Sequence, residues 1–329
     1  MSRVWWGVIA AATAVVVVAL VVVVVGQLDG TDSDEQASGA EAAVRDYLEL
    51  IADGKGDEAH ELESLRPRDG DTSLLTDEVL GAAGRRITDI DVRAQTATDT
   101  TATVTATYHL GSKSARVDLH AKRTGTKWRM SDTLAVPVRI VSTMRSLDRA
   151  YVGDTEAPVA QDTTSDLATF LLYPGEYTVH GEDTDYLSTP SEELVVLDED
   201  EPSDLDGPAV ELRYDAKDSL ADAVTASLGD FARNCVALGP PAWDRACEQV
   251  VTSRIVSDDT ELALVDIPRV EDIAAGETDS ADGVRFTSST GKVRVTDPGR
   301  PAVEVEFQVR GSVTVSGTSE LTITYADAS

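Results

Sequence analysis

The sequence predicts an α+β exterior behind a single N-terminal transmembrane helix, on three observations. An uncharged apolar run opens the chain, a stretch of helical periodicity follows, and long segments of strict apolar–polar alternation come after it. The helix-then-strands order occurs twice, so the exterior divides into more than one domain.

The opening element is the run from Val4 to Val25, which holds no charged residue. At about 1.5 Å per residue it can cross a hydrocarbon core about 30 Å thick. Backbone groups in that core must bond internally, so the run is expected to be helical despite its valines. Trp5 and Trp6 stand where amphipathic rings favour the membrane interface, and Arg3 precedes them. The next basic residue is Arg45, so the positive-inside rule places the N-terminus in the cytoplasm and everything after Gly26 outside. A cleaved signal peptide is the rival reading, but its apolar region is normally only about 7–15 residues and ends in a small-residue site. The anchor is therefore read over 1–26 and a polar tether over 27–38.

Composition sets exclusions. The net charge of −31 over 329 residues argues against nucleic acid, because neutralising phosphates takes clustered Lys and Arg. It also argues against docking on anionic lipid. The two cysteines, Cys235 and Cys247, both fall on the outer side, where disulfides persist. The eleven residues between them can turn back on themselves, and no His or further Cys lies nearby to make a metal pair. A structural disulfide is expected.

In the first exterior segment, 39–133, Ala40, Ala43, Val44, Tyr47, Leu48 and Ile51 recur at helical spacing. Asp53-Gly54 supplies a stop, Asp57 can cap a second short helix, and "LLTDEVLGAAGR" reads as a further helical turn or two. Strands follow. Ala102, Val104, Ala106, Tyr108 and Leu110 alternate with threonines and His109; Ala115, Val117, Leu119 and Ala121 continue after a turn at Gly111-Ser112-Lys113. A third strand carries Trp128 and Met130. With Leu110 facing Ala115 and Ala121 facing Trp128, one sheet face is continuously apolar and has to be covered by the preceding helices.

The helices, the "DGKGDEAHEL" connection and the long strands ending in "TKWRMSD" resemble the nuclear transport factor 2-like superfamily, most of all its small extracytoplasmic versions in Gram-positive bacteria. The resemblance implies a cone in which a curved sheet wraps the helices around a possible cavity. Some relatives use His and Asp in that cavity as isomerases or dehydratases. Here the apolar face offers Tyr47, Tyr108, Trp128 and Met130, a candidate apolar ligand pocket, with no acid or base among them. His109 and His120 alternate onto the opposite, polar face.

Residues 134–197 read as a small β-sandwich-like module, with a Pro-Gly turn in "FLLYPGEYTVHG", and the acidic 198–208 as a linker. The last segment, 209–329, restarts with Leu220, Val224, Leu228, Phe231 and Cys235 on one helix face. Strands follow, the most regular in "AVEVEFQVRGSVTVSG" with Leu321, Ile323 and Tyr325 as partner. A second cone-like α+β domain is expected there from element order.

No motif announces a chemistry. His60 opens "HELES", which lacks the second histidine of a zinc helix because Ser64 stands in its place. The acidic stretches lack the oxygen spacing of a calcium loop. The reading is a non-catalytic, membrane-anchored extracytoplasmic protein, without a cofactor, that binds an envelope partner protein or an apolar ligand. A component of a secretion or conjugative-transfer apparatus is the alternative, and an isomerase-like enzyme the disfavoured one.

Overall fold

The computed structural model describes residues 35–63, 71–144, 146–159, 169–197, 208–239, 245–251, 259–274 and 283–326. Strands take 48 % of the structure and helices 23 %, which corrects the expected α+β balance to a mostly β chain. The physical reason is the reach of the period-2 pattern, which recurs in strands from Thr88 to Tyr325 on both sides of one long helix. Only four α-helices interrupt the described residues. The expected N-terminal transmembrane helix is not supported either. No helix among the described residues is long and apolar enough to cross a membrane, and the 1–26 run with Arg3, Trp5 and Trp6 lies outside them. The acidic residues 198–207 of the expected linker also lie outside.

The chain forms two compact units, the first from 1–138, 170–177 and 195–207, the second from 139–169, 178–194 and 208–329. In the first unit helix α1 (35–53) begins inside the stretch read as tether and buries Ala40, Val44, Tyr47, Leu48 and Ile51 completely. Short helices α2 (Gly56–Leu62) and α3 (Asp77–Gly81) follow. Arg86 ties two of these helices together: its Nε donates to the Ala52 carbonyl at the end of α1, and its guanidinium also reaches the Gly81 carbonyl of α3. Last-turn carbonyls have no partner inside their own helix, so this satisfies groups that would otherwise need water.

Four antiparallel strands then build a sheet in chain order: β2 (Thr88–Ala97), β3 (Thr101–Leu110), β4 (Lys113–Thr124) and β5 (Lys127–Met130), preceded by the two-residue β1 (Arg85–Arg86). Its apolar face buries Ala102, Val104, Ala106, Tyr108 and Leu110 from β3 and Ala115, Val117, Leu119 and Ala121 from β4. The register differs by two residues from expectation. Tyr108, not Leu110, faces Ala115, and Met130, not Trp128, faces Ala121. The cause is a tighter turn: Leu110 pairs directly with Lys113, so the connection is Gly111-Ser112 and Lys113 already belongs to the strand.

Helix α1 lies on this sheet. Trp128 packs against Gly39, where a Cβ would come within 2.9 Å of its indole nitrogen. Beside a bulge in β2, the Ala94 N–H donates to the Glu41 carboxylate at 2.6 Å. A bulge leaves a ladder group unpaired, and the helix supplies the acceptor.

In the second unit the hairpin Arg149–Val152/Thr155–Pro158 pairs with Val179–Gly181, and Ala209–Leu212 runs parallel to Arg139–Ser142. Helix α4 (Asp218–Leu238) buries Leu220, Val224, Leu228 and Cys235. It packs near two sheets: Glu261–Asp266 with Gly291–Thr296 and Val303–Phe307, and Val270–Ala274 with Val284–Ser288, Arg310–Ser316 and Glu320–Tyr325. The long alternating stretch from Val303 therefore changes sheets at Gln308-Val309, where the Ser288 hydroxyl accepts the Val309 N–H. Phe231 of α4 stacks on Tyr325 with ring centres 3.9 Å apart.

Cys235 and Cys247 are joined, as their spacing predicts. The chain after Cys247 is pinned by Gln249, whose carboxamide oxygen accepts the Arg310 N–H and whose nitrogen donates to the Ala326 carbonyl. Gln249, two residues past the disulfide, thus bonds the residues at the open end of the β-hairpin formed by Arg310–Ser316 and Glu320–Tyr325.

Candidate functional site

The most concentrated polar arrangement among the described residues is a buried carboxylate in the first unit. Glu63 follows the last turn of α2, and its extended backbone makes a one-residue parallel bridge to Met130. That bridge turns the side chain inward and leaves it only 1 % exposed.

Its donors come from four segments. Tyr47 of α1 donates to Oε1 at 2.8 Å, Thr133 at 2.7 Å and Tyr173 at 3.1 Å. His60, one helical turn earlier and 35 % exposed, places Nδ1 2.9 Å from Oε2. Three of the contacts converge on Oε1 and one lies on Oε2, so the carboxylate is enclosed on both oxygens while Oε2 keeps a second acceptor position. The network extends outward from there. The Tyr47 hydroxyl accepts the Leu134 N–H at 2.8 Å, the Tyr177 hydroxyl donates to the Tyr173 carbonyl, and the Tyr47 and Tyr173 rings meet edge to face at 6.4 Å.

The electrostatics follow from burial. Tyr47 and Tyr173 both hold their protons well above the ordinary phenol range, first because they are buried and second because the Glu63 charge opposes a phenolate. Tyr177 is raised by burial as well. The two phenols beside Glu63 are therefore fixed as hydrogen-bond donors.

Of the four candidate pocket residues, the structure brings only the Tyr47 side chain to the carboxylate. Met130 is buried and meets Glu63 through the backbone. Tyr108 is buried opposite Ala115, six residues along β4 from the Ala121 partner of Met130, which is about 20 Å of strand. Trp128 is half-buried against Gly39. His120 is exposed and pairs with Asp132, and His109 lies 3.9 Å from Asp89.

The expectation that the covered interior holds no acid is corrected by Glu63. Nothing in its local pattern marks it, since it sits in a polar stretch beyond the helical periodicity. The one available signal was a buried-type Tyr47 on the apolar face of α1, whose hydroxyl needs a partner once desolvated.

No protein-family model, no curated protein and no solved structure matches this chain.

Proposed function

We propose that the chain works outside the cytoplasm as a non-catalytic binding protein of the cell envelope. The observation that carries this reading is the enclosure of Glu63, whose side chain is buried among partners from four segments. General acid–base catalysis needs a titratable group with a free position within reach of a substrate proton. Glu63 is instead shut in behind Tyr47, Thr133 and Tyr173 on Oε1 and His60 on Oε2. The carboxylate works as a strut between segments.

Two further features support the reading. The buried Cys235–Cys247 bridge suits an oxidising, exported setting. Three helices followed by an antiparallel sheet over 35–130 favour a nuclear transport factor 2-like scaffold for the first unit, one in which the polar interior serves stability.

The test is complementation of a deletion strain by Glu63→Gln. The amide keeps one oxygen as acceptor for the three hydroxyls and offers its N–H to His60 Nδ1, but it cannot take up a proton. Full complementation is expected of a binding protein. A folded Glu63→Gln chain with the deletion phenotype overturns the reading in favour of catalysis.

A further inference from the structure

We infer that the outer face of the β4–β5 hairpin docks an extended acidic polypeptide. The inference rests on the binding-protein reading and names the chemistry of the partner.

The chain carries a net charge of −31, yet residues 113–129 hold Lys113, Arg116, Lys122, Arg123, Lys127 and Arg129 against one acid, Asp118. The pleat sends Arg116 and Lys122 of β4 and Lys127 and Arg129 of β5 to solvent on the same face. The register sets Lys122 directly opposite Arg129. Like charges facing each other across a ladder destabilise a sheet, so folding alone gives no reason for the pair.

These cations are largely uncommitted. Arg116, Lys122 and Lys127 make no ion pair or hydrogen bond among the described residues, and Arg129 donates one nitrogen to the Glu61 carbonyl. The acids of the same face are engaged: Asp118 with Thr105, Asp132 with His120 and Asp91 with Arg93. Screening over about 8 Å at physiological ionic strength lets such a face attract an anion although the whole chain is acidic.

Geometry selects the partner. Arg116 and Lys122 stand six residues apart, about 20 Å along the strand, which is too far for one small anion to bridge. Residues on the face recur every two positions, about 6.8 Å, which is also the repeat of alternate side chains in an extended peptide. Asp118 and Asp132 interrupt the basic residues. A phosphate polymer, charged at every repeat, would be forced over these two acids. A polypeptide can carry acids at its ends and neutral residues between, meeting Arg116 at one end and the Lys122, Lys127 and Arg129 group at the other.

The experiment titrates the full chain into a fluorescein-labelled twelve-residue peptide with acidic ends and a neutral centre, reading anisotropy at 50 and 300 mM NaCl. Binding at low salt is expected, with a loss of tenfold or more at high salt. The doubly reversed Lys122→Glu/Arg129→Glu chain should lose tenfold or more at low salt with an unchanged circular dichroism spectrum. Lys122→Gln/Arg129→Gln, which should lose a smaller but measurable part, serves if reversal perturbs the fold. Linear polyphosphate of equal charge is the competing probe. A wild-type chain that ignores the peptide, equal affinity in the variants, or tighter binding of polyphosphate overturns the inference. None of these outcomes moves the Glu63→Gln complementation result, so the two readings fail separately.

Discussion

Asp57 and Asp77 cap each other's helices. The Asp57 N–H donates to the Asp77 carboxylate at 2.9 Å, and the Asp77 N–H donates to the Asp57 carboxylate at 3.1 Å. Each acid satisfies an unpaired first-turn N–H of the other helix and sits at the positive end of its dipole. Asp57→Ala or Asp77→Ala is expected to cost about 1 kcal/mol. The double variant should cost about the sum, because each change removes a different one of the two hydrogen bonds. Gly56 makes the approach possible: a Cβ there would lie 2.6 Å from the Thr76 carbonyl oxygen. Gly56→Ala should therefore destabilise more than either Asp variant. Urea midpoints at constant slope check all four.

Removing the buried acid leaves its donors stranded. Glu63→Ala strips three hydroxyls of their acceptor inside the first unit and should cost about 3–5 kcal/mol, the range for breaking a buried charged arrangement. Glu63→Gln should cost about 1–2 kcal/mol, since neutral hydrogen bonds replace charge-assisted ones. Denaturant unfolding of the full chain measures both. Similar costs for the two variants would show that loss of the carboxylate charge dominates at this position, since glutamine keeps the packing that alanine removes.

Alkaline titration should separate the tyrosines. Tyr47, Tyr173 and Tyr177 are all raised by burial, the first two also by Glu63, and Tyr214 is pushed up to about 12, chiefly by burial. A group raised in the folded state contributes stability that is present below its unfolded value, near 10 for a phenol, and is lost as pH climbs toward the folded value. Stability should thus be insensitive to these groups at neutral pH and fall above about pH 10. Absorbance at 295 nm should show the buried phenols ionising only with the loss of near-ultraviolet circular dichroism. Complete tyrosine ionisation with that signal intact would refute the burial assignment.

The Cys235–Cys247 bridge closes a short loop, with a sequence separation of 12. Chain entropy for a loop of this length gives about 3 kcal/mol. The double change to alanine should lower stability by up to that amount. It should also loosen the Gln249 contacts to Arg310 and Ala326, seen as faster amide exchange at Arg310. Unchanged exchange there would mean that Gln249 holds its place without the staple.

What the sequence made legible was local. On β3 and β4 every residue from Ala102 to Ala121 assigned to the apolar face is buried, because alternation records which side of a sheet meets water. The helix face through Val44, Tyr47 and Ile51 was read on the same grounds. The hairpin register was missed by two residues because a turn's length depends on which residue first enters the ladder, and Lys113 is chemically suited to either role. Glu63 was missed for a deeper reason. Its burial depends on hydroxyls at 133 and 173, and no period in residues 56–64 encodes partners that distant.

Tyr173 reaches Glu63 across 110 residues, and Thr133 reaches it across 70. At ribosomal rates of about 5–20 residues per second, the last donor emerges roughly 5–20 seconds after the carboxylate it serves. Over that interval Glu63 stays hydrated, and the helices and early strands of the first unit exist without their final crosslink. Vectorial synthesis therefore holds this part of the molecule open until its distant segment arrives.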